Sequence, residues 1–240
     1  MSATRLHRVG DDTEAAQALA TILAQSAARH RGRFNIAMSG GSLPKTFASA
    51  LKVLEGNPLI DPPGPTWHIY FVDERHVPPT SEDSNLKGFL DAVAGIAAFT
   101  IHPVDTSLPL AESAAAYEKE FTGEGGQIIH CCLLGLGPDG HTASLFPGRD
   151  FSSLPSSSSP HALVSYVTDS PKPPPQRVTL TLKGISAAEK IAVVALGASK
   201  AEAITKCLTD TTGTFPTKLI EPVAPVEWIV DKSVPGGPES

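Results

Sequence analysis

Ile128, Ile129, Cys131, Cys132, Leu133 and Leu134 make an apolar run of strand length that stops on Gly135. A run without polar alternation reads as a strand buried on both faces, as in the interior of a parallel sheet. Gly137 and Gly140 follow, with Pro138 between them, so the strand empties into a tight loop. That loop carries Asp139 and His141. Open α/β sheets bind ligands beyond the carboxyl ends of their strands, which makes a titratable pair in such a loop a candidate site.

The pattern recurs along the chain. Phe34 to Met38 reads as a short strand running into Ser39-Gly40-Gly41-Ser42-Leu43-Pro44-Lys45. Ser42 is a candidate N-cap, and Pro44 falls in the first turn of a helix through Leu54. Backbone N–H groups at such a start point outward and the helix dipole favours an anion, so the turn suits a phosphate. Its spacing matches neither the Walker A loop nor the dinucleotide fingerprint. Trp67 to Val72 reads as a strand ending on Asp73-Glu74-Arg75, where Arg75 offers a two-pronged grip on an anion. Ile191 to Leu196 ends on Gly197-Ala198-Ser199-Lys200 and opens a helix from Ala201 to Leu208.

Between these lie a helix over 12–31 capped by Thr13, one over 85–93 capped by Ser84, and one over 108–121. The cations Arg29, His30, Arg31 and Arg33 read as solvated charges at the end of the first helix. Phe99 to Val104, Ala162 to Val167, Arg177 to Leu182 and Glu227 to Val230 are further strands, with Val178, Leu180 and Leu182 on one side. Glu55 to Thr66 and Gly148 to Pro160 read as loops, Pro171 to Pro175 as a stiff extended segment, and Pro235 to Ser240 as a frayed tail. Strands alternating with helices imply an α/β fold, a single domain over 1–240 built on one doubly wound, mostly parallel sheet flanked by helices. If the strands are parallel, Ser39–Lys45, Asp73–Arg75, Gly135–His141 and Gly197–Lys200 meet on one rim.

Composition narrows the partners. A formal net charge of −6 over 240 residues opposes general nucleic-acid affinity, which needs a basic face. It leaves room for a small anion held by a few cations and amides. No apolar run is long enough for a membrane span, and the polar N-terminus has no signal core, so a cytoplasmic protein is expected. Adjacent Cys131 and Cys132 with a solitary Cys207 read as buried free thiols.

With these residues assembled, the chain resembles the 6-phosphogluconolactonases. The matching blocks are Ser39-Gly40-Gly41-Ser42 with Pro44, Asp73-Glu74-Arg75 through Val77 to Ser84-Asn85, and Gly135 to Pro147 with its Gly-Pro-Asp-Gly-His-Thr core. Arg177-Val-Thr-Leu-Thr181 and Gly197 to Lys200 complete them. The resemblance implies a hydrolase of the oxidative pentose phosphate pathway, needing no metal or cofactor, that opens 6-phosphoglucono-1,5-lactone. It further implies a functional link to glucose-6-phosphate dehydrogenase. On this reading the Gly40, Gly41 and Ser42 amides with Arg75, Lys200 and Arg177 hold the phosphate. His141 activates water, and Asp139 or Asp73 orients its ring. Ser144 lacks a nucleophile elbow and reads as structural.

Two alternatives share the fold. Glucosamine-6-phosphate deaminase looks similar around Asp73 and Asp139-Gly-His141, but there a Glu five residues after the His assists ring opening, and here that position is Phe146. Arg75 also replaces the aromatic residue expected after Asp-Glu in the deaminase. A non-catalytic sugar-phosphate sensor domain is the other alternative. The intact Asp139–His141 pair disfavours it.

Overall fold

The computed structural model describes residues 4–57, 65–96, 99–123, 129–151, 154–155 and 162–234. Ile128, residues 58–64 of the first expected loop, 152–153 and 156–160 of the second, and the 235–240 tail lie outside the described residues.

The strands are β1 (Thr4–Val9), β2 (Arg33–Met38), β3 (Thr66–Phe71), β4 (Asp73–Arg75), β5 (Thr100–His102), β6 (Cys131–Gly135), β7 (Val164–Val167), β8 (Arg177–Leu180), β9 (Lys190–Ala195) and β10 (Val226–Asp231). The helices are α1 (Asp12–Ala27), α2 (Leu43–Val53), α3 (Asn85–Val93), α4 (Leu110–Thr122), α5 (Leu182–Ser186), α6 (Ala201–Thr209) and α7 (Pro216–Leu219). Seven strands form one sheet in the order β1-β10-β9-β6-β2-β3-β5, and every pairing in it is parallel. No helix among the described residues is long and apolar enough to cross a membrane.

Period-two alternation divides the sheet between two apolar layers. Phe34, Ile36 and Met38 of β2 and Cys131 and Leu133 of β6 face α1, α2 and α3, meeting Leu19, Leu23, Phe47, Leu51 and Phe89. Ala37, Cys132 and Leu134 face the opposite layer, with Tyr117 and Phe121 of α4 and Ile204 of α6. Each fully buried Leu, Ile or Phe contributes about 1.5–3 kcal/mol, so this double layer dominates the stability of the sheet.

The expectation of one doubly wound sheet holds, with an addition. β4, β8 and β7 form a second, antiparallel sheet over the α4 side. β3 continues through Val72, whose carbonyl accepts from the Leu180 N–H, and then leaves the main sheet as β4. Leu182 therefore opens α5 and does not share a strand face with Val178 and Leu180. Asp11, not Thr13, caps α1, accepting from the Glu14 N–H. Ser42 sits at the N-cap position of α2 but makes no side-chain capping bond. Pro171 to Pro174 is a series of bends rather than an extended run. His30 and Arg33 are not solvated: His30 stacks on His130, and Arg33 donates to Asn35 Oδ1 and Tyr70 Oη.

The main sheet reverses its winding at β2. The chain moves outward from β2 through β3 and β5, then returns to β6 on the other side of β2 and continues through β9. Such a switch point opens a crevice beyond the strand ends. Here the seam is tied by Ser39, whose N–H donates to the Leu133 carbonyl and whose Oγ accepts from the Gly135 N–H.

Candidate active site

The crevice is a cleft of about 190 Å³. Gly40, Gly41 and Ser42 line it from the β2–α2 turn, Asp73 and Arg75 from β4, His141 from the β6 loop, Arg177 from β8 and Lys200 from the turn before α6. The structure thus gathers the expected residues on one rim, except Asp139, which stands behind His141.

Each wall has a local cause. At the β2–α2 turn, Gly41 has φ +69°, and a Cβ on Gly40 would stand 1.9 Å from Asn85 Oδ1. Only glycine lets this turn approach Asn85 so closely. The Gly40, Gly41 and Ser42 N–H groups have no acceptor among the described residues. They are the orphan donors of a helix start, made for an anion.

In β4, Glu74 is buried and accepts the N–H groups of Arg75, Asn85 and Leu86 and the Ser84 hydroxyl. Its burial pushes the carboxyl above its ordinary range. Glu74 therefore fixes the start of α3, and Asp73 and Arg75 on either side of it turn toward the cleft. Asp73 Oδ2 accepts from Ser144 Oγ at 2.8 Å and lies 3.8 Å from an Arg177 nitrogen, while Asn85 Nδ2 donates to its carbonyl. Ser144 is thus a structural donor.

Arg177 is not a surface residue: it is 3% exposed. Its guanidinium donates to the carbonyls of Lys172, Pro173 and Pro174. Register places it directly opposite Arg75. Like charges facing each other across two strands are unfavourable. Burial, then the Arg75 charge, lowers the Arg177 pKa despite nearby Asp73. The Arg75 Nε is buried without a partner. The Lys200 ammonium has no hydrogen bond or ion pair among the described residues, and burial lowers its pKa. Arg75 Nη1 donates to the Asp83 carbonyl, but neither Arg75 nor Lys200 has a carboxylate partner among the described residues, which favours an anionic ligand.

Of the two carboxylates that could orient His141, Asp139 is the one in contact with its ring. Asp139 Oδ1 lies 2.5 Å from His141 Nδ1, whereas the Asp73 carboxylate is engaged by Ser144 and Asn85. Burial disfavours Asp139 ionisation, but its hydrogen bonds from His141 and Lys172 outweigh that and hold the pKa at about 2. Facing an ionised carboxylate at this distance, Nδ1 carries the ring proton. Nε2 then keeps its lone pair, and it has no partner among the described residues. Burial lowers the His141 pKa, while Asp139 opposes the shift. The ring stacks on Phe146 at 4.8 Å.

Two contributions were not anticipated: the role of Asn85, which enters the sequence reading only as part of a matching block, and Lys172. Asn85 shapes the Gly40 turn, and Lys172 reaches Asp139 at 3.0 Å. Lys172 left one faint mark, a lone cation inside the proline-rich 171–175 segment.

The family model for glucosamine-6-phosphate isomerases/6-phosphogluconolactonase matches residues 10–229. The chain belongs to this family. It is 36% identical over 230 residues to a probable chloroplastic 6-phosphogluconolactonase 3 of Oryza sativa, covering 88% of this chain and 68% of that one. It is 34% identical over 236 residues to the 6-phosphogluconolactonase of Rattus norvegicus, covering 92% of this chain and 88% of that one. Its fold superposes on the 6-phosphogluconolactonase from Trypanosoma cruzi with a TM-score of 0.78 and 26% identity, covering 98% and 97% of the two chains.

One group in this family member invites a metal reading. The ligand atoms of His30, His130 and Glu189 lie within 4.8 Å of one another. The hydrogen bonding argues otherwise. The Asn35 N–H donates to His130 Nδ1, which places that ring's proton on Nε2, the nitrogen an ion would need. The two rings stack 3.6 Å apart at 10°, so their lone pairs run parallel and do not converge. The trio is a packed stack with a His30–Glu189 pair at 3.1 Å.

Burial lowers the pKa of both His130 and His68 to about 4. The unfolded chain, with histidine near 6.5, then binds more protons than the native state in the window between. This contribution to stability is complete above pH 6.5 and is lost as pH falls toward 4. A melting-temperature series across that window should fall steadily on acidification, and His130→Phe should make the fall shallower, leaving the His68 share.

Proposed function

We propose that this chain hydrolyses 6-phospho-D-glucono-1,5-lactone to 6-phospho-D-gluconate, with His141 as general base. One observation carries the reading: an imidazole with a free Nε2 lines the same cleft as the unpaired Gly40–Ser42 amides, Arg75, Arg177 and Lys200. The 6-phosphogluconolactonase names of the rice and rat relatives support it.

In the proposed reaction the phosphate sits against the amides and cations, and the lactone carbonyl faces His141. Nε2 takes a proton from water as the water oxygen bonds to C1. The tetrahedral intermediate collapses by breaking the bond from C1 to the ring oxygen. The imidazolium returns its proton to that oxygen, leaving a carboxyl group and a free hydroxyl. Asp139 holds the ring and stabilises the imidazolium. Asp73 keeps Arg177 and Ser144 in register at the floor of the cleft.

The deaminase alternative needs a proton-transferring group where this chain has Phe146, and that apolar ring lies against His141. Lactone hydrolysis and glucosamine-6-phosphate deamination measured side by side test the choice. Acid release without ammonia is expected. Ammonia release, or tight 6-phosphogluconate binding with no turnover, overturns the proposal.

Lys200 tests the phosphate end. Lys200→Ala should raise KM about tenfold or more with little change in kcat, since it removes a charged contact made in both ground and transition states. Initial rates over a range of lactone concentrations check this.

The substrate is a sugar phosphate oxidised at C1, so we also propose the functional link to glucose-6-phosphate dehydrogenase. The three buried free thiols suit a reducing compartment, and we propose the cytoplasm, which cell fractionation tests.

A further inference from the structure

Lys172 lies outside every motif used so far, yet it stands against the His–Asp pair. Its ammonium is 3.0 Å from Asp139 Oδ1 and 3.3 Å from His141 Nδ1. The second contact is not a hydrogen bond. Nδ1 already donates to Asp139, and an ammonium has no acceptor to offer. It is a positive charge held at the edge of the imidazole.

The segment carrying Lys172 is built to hold it there. Ser170 N–H donates to the Pro175 carbonyl, Ser170 Oγ to the Lys172 carbonyl, and the Lys172 N–H returns a bond to Ser170 Oγ. Below, the buried Arg177 guanidinium donates to the Lys172, Pro173 and Pro174 carbonyls. The backbone at Lys172 is therefore fixed by a group that also lines the cleft.

We infer that Lys172 is a positioning residue for the proposed reaction: its ammonium anchors the Asp139 carboxylate and opposes a second positive charge on His141. Two effects act on the imidazole from opposite sides. Asp139 alone would stabilise the imidazolium and hold the resting base protonated. Lys172 offsets that attraction, so the resting ring stays neutral while Asp139 still fixes its orientation. The titratable and charged groups facing His141 are Asp139 on its own loop, Lys172 on the 170–175 segment and Asp73 on β4. Burial, opposed by Asp139 and assisted by Lys172, gives the net downward shift of the His141 pKa.

This inference rests on the proposed lactonase reading, and the experiment separates the two. Lys172→Met keeps the aliphatic stem and removes the charge, and Lys172→Arg keeps a charge. His141 is followed by NMR titration of its ring signals, and lactone hydrolysis is followed from pH 5.5 to 8 after subtraction of the uncatalysed rate. In Lys172→Met the His141 midpoint and the acidic limb of kcat/KM should both move up by about half to one pH unit. Activity at the acidic end of the range then falls, by at most about three- to tenfold, while the plateau at higher pH changes less. Lys172→Arg should stay near the parent protein in both. A His141 midpoint unchanged in Lys172→Met, or a loss of activity equal at every pH, overturns the inference. If the parent protein fails to hydrolyse lactone, the lactonase reading falls, and the NMR midpoint still decides whether Lys172 sets the charge of His141.

Discussion

His141→Ala should abolish measurable lactone hydrolysis at neutral pH, with kcat falling by about 10²–10⁴, the usual value of a positioned general base. The loss should leave the protein folded. His141 lies in a loop beyond the sheet, and its side chain keeps 19% of its surface exposed. What the substitution removes from the packing is one face of the Phe146 stack, not a member of either apolar layer. Anion binding should also survive, because the Gly40–Ser42 amides, Arg75, Arg177 and Lys200 belong to other elements. The expected result is therefore a variant that binds 6-phosphogluconate by calorimetry with near-parent affinity and releases acid from fresh lactone hardly faster than the uncatalysed rate. Near-normal turnover would refute the general-base role. Equal loss of binding and turnover would mean that His141 shapes the cleft and does not act on water. Asp139→Asn gives a graded companion. It keeps the shape but removes the charge that stabilises the imidazolium, so it should retain more activity than His141→Ala.

The parts of this site that were legible in the sequence share one property: their signal is local. β6 and β9 are buried on both faces and read as apolar runs, β2 from Phe34 and β3 from Trp67 are apolar but for Asn35 and His68, and the polar break after each marks its end. What escaped depends on partners far along the chain. β4 is Asp-Glu-Arg and has no apolar period; it becomes a strand only by pairing with β8, about a hundred residues later. The Arg75–Arg177 opposition follows from that register and from nothing nearby. The sequence offers Arg177 as a phosphate contact but not its burial, which follows from Asp73 and the three carbonyls that surround it. β1 is polar outside Leu6 and Val9, as an edge strand can be, and gave no run to find. Lys172 meets Asp139 across 33 residues of chain. The metal-like trio shows the converse, in that three ligand-type residues do come together but their hydrogen bonds assign them another task.

Gly137→Ala tests whether the position of the imidazole, and not its presence alone, carries the reaction. A Cβ built on Gly137 would stand 2.1 Å from both Cε1 and Nδ1 of His141 and 2.6 Å from Asp139 Oδ1. No heavy atoms coexist at such distances, so the ring must leave its place against Asp139. The backbone itself tolerates the change, because Gly137 does not use the left-handed region, unlike Gly140 at φ +84°. The displaced groups are also side-chain ends on a loop, free to swing toward solvent. Activity should fall by about 10² or more, since small misplacement of a catalytic group costs on this order, while the melting temperature changes little. The controls lie in the same sequence. Gly140→Ala would set a Cβ 2.5 Å from the Phe215 ring at positive φ, so it should lower stability as well as activity. Gly41→Ala meets no atom within 4 Å and carries only the strain of φ +69°, about 1 kcal/mol. If Gly137→Ala keeps parent activity, the imidazole reacts from some other position, and the Asp139 pairing seen here is not the one that matters.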